Sequence, residues 1–161
     1  FKTVLQQKPQ ARLLLCGQGE NFEQSQQEAK ALGIAEMVLF CGNVNRPEDY
    51  LQAMDVFVMT SLFEGLPIVG VEAQASGLPC IFADTITQEV KILPQTQFLA
   101  LTQPDEAWAE RIVQTKPMER SLAGHCVESA GFAEENLDRQ VCALYGMEEH
   151  HFANISGRDH L

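Results

Sequence analysis

Short, unbroken apolar runs alternate with helical patterns along the chain: ARLLLCG, NFEQSQQEAKALG, MVLFCGN, RPEDYLQAM, DVFVMTS, PIVGVEAQASG and LPCIFAD. Runs without in-out alternation suit strands covered on both faces. Their alternation with helices predicts an α/β fold, a parallel sheet wrapped by helices. Right-handed crossovers then bring the carboxyl ends of the strands to one edge. A fifth short strand is expected at QFLAL, residues 97–101, followed by helices in TQPDEAWAERIV and EENLDRQVCALYG, with a break at GFAEEN before the second. Gly33 and Gly77 read as helix C-caps, and Pro47 and Pro67 as first-turn residues. The opening FKTVLQQKPQ reads as the last turns of an amphipathic helix already under way, which suggests a fragment of something longer. The end, GMEEHHFANISGRDHL, loses periodicity. Residues 147–161 are therefore expected to be a flexible tail after one domain over residues 1–146.

Composition narrows the class of partner. The 161 residues, 45% hydrophobic, suffice for one domain with a sizeable core. A formal net charge of -11 without any basic run opposes a nucleic acid backbone or an anionic membrane surface. Neither a membrane span nor a signal peptide is visible, and a cytoplasmic location fits. The five cysteines include no C-x-x-C pair, and reduced, buried thiols are expected. With His125, His150, His151 and His160 they show no ligand spacing, so no metal site is expected. The Asn154-Ile155-Ser156 sequon reads as accidental.

Candidate chemistry concentrates after the strands, because ligands of open parallel sheets bind outside the carboxyl ends. Three loops leave those ends: CGQGEN, CGNVNRP and TSLFEGLP. In the third, Gly65 allows close approach of backbone to a ligand, and Pro67 opens a helix whose free N–H groups suit phosphate. Glu72 is the only charge in PIVGVEAQAS, a helix of small and apolar residues that reads as buried. A buried carboxylate needs donors, and the vicinal hydroxyls of a ribose would supply them. Glu64, eight positions earlier, could accept from a second polyol beyond the phosphates. The bland alternative stays open: Glu64 as a favourable acid at a helix entrance, and Glu72 partly exposed or paired with Arg46 or another base.

SLFEGLPIVGVEAQASGLPCI closely resembles the donor-site segment of the retaining nucleotide-sugar glycosyltransferases of family 4, whose fold is GT-B. The signature is two glutamates separated by seven residues, here Glu64 and Glu72, around a GLP turn, with a small-residue helix and Gly-x-Pro after it. LLLCGQGE, VLFCGNVNRPEDYLQAMDVFVMTS and DTITQEV match in order, and the resemblance covers about residues 1–145. It is closest in character to bacterial enzymes of capsular or exopolysaccharide synthesis. The implied fold is the C-terminal half of GT-B, a Rossmann-like parallel sheet of about five strands flanked by helices.

The resemblance also implies roles. Glu64 would be the catalytic-site residue that orients the transferred sugar, and Glu72 would bind the ribose. Backbone N–H groups of Gly65, Leu66 and Ile68 would face the sugar and diphosphate. Arg46 would stack on the base, and Gly17 and Gly19 would belong to the first loop. No nucleophile is assigned, and no cofactor or metal is implied; the substrate is a nucleoside-diphosphate sugar, most commonly of UDP. The acceptor-binding N-terminal domain, the first strand of the donor domain, and the Arg and Lys that relatives aim at the diphosphate have no counterpart here, so this piece is expected to transfer nothing by itself. Two rivals remain: half of a nucleotide-sugar epimerase of the same architecture, and a non-catalytic nucleotide-binding α/β module.

Overall fold

The computed structural model describes residues 1–132. In chain order the elements are α1 (Lys2–Gln7), β1 (Leu13–Cys16), α2 (Phe22–Ala31), β2 (Val38–Gly42), α3 (Pro47–Gln52), β3 (Phe57–Met59), α4 (Ile68–Ala75), β4 (Cys80–Ala83), β5 (Gln97–Leu99), α5 (Asp105–Gln114) and α6 (Arg120–Val127). The expected alternation is present, including the fifth strand. Local signals account for several ends. Pro47 is the first residue of α3, where its missing N–H costs nothing. Gly33 and Gly77 follow α2 and α4 at φ 71° and 76°, the left-handed conformation that ends a helix. Pro67 stands one place outside the expected position, as the N-cap of α4.

All strand pairs are parallel, but the ladder is divided. β1 pairs with β2, Leu13 opposite Val38, while β3, β4 and β5 form a second sheet in that order. Between β1 and β3 lies a cavity of about 1120 Å³, lined by all of β1, by residues 56–59, and by Val4 and Ile112 from the helices. Among the described residues neither strand has a ladder partner on that side.

Burial follows a strand's place in the ladder. β4, paired on both edges, is buried at every position, as a strand covered on both faces should be. The expectation of full cover fails for β1, β2 and β3, where Leu15 is 38%, Leu39 46% and Val58 36% exposed. Among the described residues each of those strands has a partner on one edge alone, so fewer neighbours shield it.

The core gathers around β4. Phe82 is completely buried and meets Phe57 edge-on at 6.1 Å and Phe98 at 5.8 Å between ring centroids. Full burial of such a side chain contributes about 1.5–3 kcal/mol. α4 lies directly against this ring: a Cβ added at Gly70 would stand 2.9 Å from it. The small residues of α4 are therefore explained by packing, since Gly70 and Ala73 let the helix approach β4 closely.

α6 is an addition to the sequence reading. Its Ala123 and Val127 are buried, and the helix packs against α4. At its entrance Arg120 donates to both the side chain and the carbonyl of Gln52 at the end of α3, a favourable place for a cation. A wider turn, Glu128–Phe132, follows, with Gly131 at φ 96° where the break at GFAEEN begins. The expected helix in EENLDRQVCALYG, the tail 147–161, Cys142, the sequon and three of the four histidines lie outside the described residues.

Candidate functional site

The three loops leave the carboxyl ends of their strands as expected, and backbone and side-chain bonds anchor the first and the third. The Gly17 N–H donates to the Gly42 carbonyl at 2.7 Å, joining the loop after β1 to the end of β2. Gly17 sits at φ 126°, a conformation that L side chains rarely adopt, so this joint requires glycine. The loop after β3 is held from the other side. Thr85 Oγ1 donates to the Ser61 carbonyl at 2.6 Å, and Glu64 forms a parallel bridge with Ile86. Thr60–Pro67 is thus fastened to the segment that follows β4.

Glu72 corrects the sequence reading: it is exposed, not buried. The reason is helical geometry. Gly70, Val71, Ala73 and Gln74 are buried, whereas Ile68 and Glu72, four residues apart, share the one open stripe of α4. No hydrogen bond or ion pair holds the Glu72 carboxylate among the described residues. A partly buried Glu64 likewise shows no side-chain partner among the described residues, its backbone bridge apart.

The buried polar side chain of α4 is instead Gln74, which the sequence reading passed over. It is fully enclosed. Its amide donates to the carbonyls of Gly70 at 3.0 Å and Val90 at 2.7 Å. Its oxygen accepts from the N–H groups of Ile92 and Leu93 and from the Thr96 hydroxyl, at 3.0, 2.9 and 2.8 Å. All its bonding capacity is used, so it bolts residues 90–96 to the helix that carries the loop.

Arg46 is the N-cap of α3, with a largely exposed side chain. Its Nε lies 3.0 Å from Glu48 and 3.2 Å from Asp49. Pairing with Glu72, one of the bland readings, is therefore absent. The Glu48 carboxyl sits below its ordinary pKa, first through a hydrogen bond from its own backbone N–H and then through Arg46.

The remaining candidates line the entrance of α4. Gly65 is exposed, and a Cβ there would meet nothing within 4 Å, so a ligand has room against its backbone. Leu66 and Ile68 are 38% and 59% exposed, and Leu62 and Phe63, missed in the sequence, are 81% and 84% exposed. α4 begins without a side-chain cap, which leaves its first N–H groups available to an anion. Among the described residues no three His, Cys, Asp or Glu side chains gather as metal ligands, and no helix is long and apolar enough to cross a membrane.

Comparison with known proteins places this geometry in a family. EpsF of Bacillus subtilis (strain 168) is 44% identical over 104 residues, 64% of this chain and 27% of that protein. The Vi polysaccharide biosynthesis protein VipC/TviE of Salmonella typhi is 35% identical over 141 residues, 83% of this chain and 24% of that protein. The chain thus spans about a quarter of the length of these curated relatives. Among solved structures, the pneumococcal O-GlcNAc transferase GtfA, in complex with UDP and GlcNAc, superposes over 90% of this chain and 31% of its own with a TM-score of 0.73. At 18% identity that likeness establishes the fold, the parallel α/β fold found in GT-B glycosyltransferases. The family model described as glycosyl transferases group 1 matches residues 1–124, and the chain belongs to that family.

Proposed function

We propose that this chain is the donor-binding part of a retaining glycosyltransferase that transfers a hexosyl unit from a nucleoside-diphosphate sugar, with UDP as the nucleotide, in polysaccharide synthesis. The observation that carries the reading is the uncapped start of α4, flanked by two carboxylates, Glu64 and Glu72, that have no side-chain partner among the described residues. Glu72 lies four residues beyond Ile68, about 6 Å along the helix. Helical side chains tilt toward the N-terminus, so its carboxylate reaches back over that distance. The diphosphate takes the N–H groups of Gly65, Leu66 and Ile68, the ribose hydroxyls donate to Glu72, and the hexose hydroxyls donate to Glu64.

An exposed Glu72 moves the desolvation cost from folding to binding: the carboxylate keeps its hydration in the free chain and gives it up only as ribose hydroxyls replace it. The helix N-terminus then stabilises the negative charge that develops on the leaving diphosphate. Arg46 stacks on the base after leaving its surface pairs, which hold it weakly. The polysaccharide role draws on the name of the Salmonella typhi relative, and UDP on the ligand of GtfA. The acceptor is bound by a second domain outside these 161 residues, the reaction takes place in the cytoplasm, and the isolated chain transfers no sugar.

Calorimetric titration with UDP tests the assignment. Hydrogen bonds to a charged group contribute about 1.5–3 kcal/mol, so Glu72→Ala should weaken UDP by roughly 10- to 100-fold. The same variant should make little difference to 2′,3′-dideoxy-UDP, which lacks the hydroxyls. Glu64→Gln should weaken UDP-hexose and leave UDP unchanged. Equal UDP affinity in the parent chain and Glu72→Ala overturns the ribose assignment.

A further inference from the structure

Two cysteines stand side by side where β1 and β2 end. Leu15 pairs with Phe40, after which the register slips and Cys16 lies opposite Gly42. Successive strand residues project to opposite faces, so Cys16 and Cys41, each next after the Leu15–Phe40 pair, share a face. The slip leaves Cys41 as the extra residue of a bulge. Cys41 is the side chain that acts on the Cys16 thiol, and its own Sγ lies 3.7 Å from the Leu39 carbonyl.

The surroundings suit a covalent link. Adjacent strands run about 4.8 Å apart, within the roughly 4.4–6.8 Å Cα separation that a disulfide spans. Each cysteine precedes a left-handed glycine, Gly17 or Gly42, and those two are already joined by the 2.7 Å backbone bond. Cys16 is exposed and Cys41 half-buried, so a small oxidant reaches the pair, while Cys80 is sealed in the core. Burial, and then the neighbouring Cys41, hold the Cys16 thiol above its ordinary pKa. Both cysteines are free thiols in the structure.

We propose that Cys16 and Cys41 form an oxidisable dithiol site that takes a low-molecular-weight disulfide such as oxidised glutathione and closes into an intramolecular disulfide. One cysteine thiolate attacks a glutathione sulfur, forming a mixed disulfide and releasing one glutathione thiolate. The second cysteine thiolate displaces the other glutathione, so one S–S bond forms as one breaks. Two protein thiols lose two electrons and two protons, and oxidised glutathione gains them as two reduced molecules. The closed bond staples the loop after β1 to the loop after β2. This site does not depend on the donor assignment.

Incubation of the full chain with oxidised glutathione, followed by alkylation and non-reducing digestion, tests it. Cleavage after Glu20, Glu36 and Glu48 puts Cys16 and Cys41 on separate peptides. The expected product is one linked species of these two peptides, lighter by two hydrogens, in a protein that remains monomeric by non-reducing electrophoresis. Titratable thiols under denaturing conditions fall from five to three. Cys16→Ser and Cys41→Ser should each abolish the linked species. A stable glutathione adduct on Cys16 with Cys41 still alkylated, or a link between two chains, overturns the proposal. UDP titration of the reduced chain is separate, and its failure would strike the donor reading without touching this one.

Discussion

Truncating Gln74 should damage the protein more than any surface change at the site. In Gln74→Ala, the Leu93 N–H, the Thr96 hydroxyl and the Val90 carbonyl all lose a partner in a buried setting. Each buried group left unsatisfied costs about 1–3 kcal/mol, and partial relaxation brings the sum to about 3–5 kcal/mol. A domain has about 5–15 kcal/mol in all, so the variant should remain folded but marginal. Urea unfolding followed by the single tryptophan, Trp108, which packs against the core, reads this directly. With an m-value of about 2 kcal/mol/M, the midpoint should fall by about 2 M at unchanged slope. Gln74→Glu provides a sharper version. It keeps the accepting side but turns a carboxylate toward the Gly70 and Val90 carbonyls, which favours the protonated form in the folded state. The folded pKa then lies above the unfolded value of about 4.3. Its stability is fully present below that value and is lost as pH rises through the folded pKa, so the deficit against the parent chain should widen from pH 4 to pH 7. A Gln74→Ala midpoint within about 0.25 M of the parent, or a pH-independent deficit in Gln74→Glu, would refute the argument.

Three further outcomes follow from other sites. Burial pushes the Cys80 thiol up to about 12; the neutral thiol therefore favours the fold below the unfolded value of 9.0, and that stability should drain away between pH 9 and about 12, with Cys80 the slowest of the described thiols to react with a disulfide reagent in native protein. Gly77→Ala should cost about 2 kcal/mol or more, because φ is 76° and the new Cβ would lie 2.8 Å from the Met118 carbonyl; Gly65→Ala, with open space around it, should leave the melting temperature unchanged and weaken UDP-sugar alone. Arg46→Ala should change stability by less than about 1 kcal/mol, since both its ion pairs are exposed; weaker UDP binding would support stacking on the base, and unchanged binding would remove Arg46 from the site.

The strands and the site loop were legible because their signals are local: unbroken apolar runs, and a glycine or proline where an element ends or begins. Glu72 was misjudged because composition does not report which way a helix turns. A coil of small residues looks uniformly buried until Gly70 is seen against Phe82, and the opposite stripe then has to be the open one. Gln74 went unnoticed for the complementary reason. Its partners lie 16 to 22 residues downstream on a segment without regular pattern, so only the folded chain brings them together. α6 is short and rich in small residues, and its two buried positions, Ala123 and Val127, make too weak a stripe to read.

The two parallel sheets place the candidate residues on separate supports. Arg46 starts the helix after β2, whereas Glu64 and Glu72 follow β3, and among the described residues no ladder joins β1 to β3. A segment that paired with both free edges would make one sheet of the two and fix the span from the arginine to the glutamates.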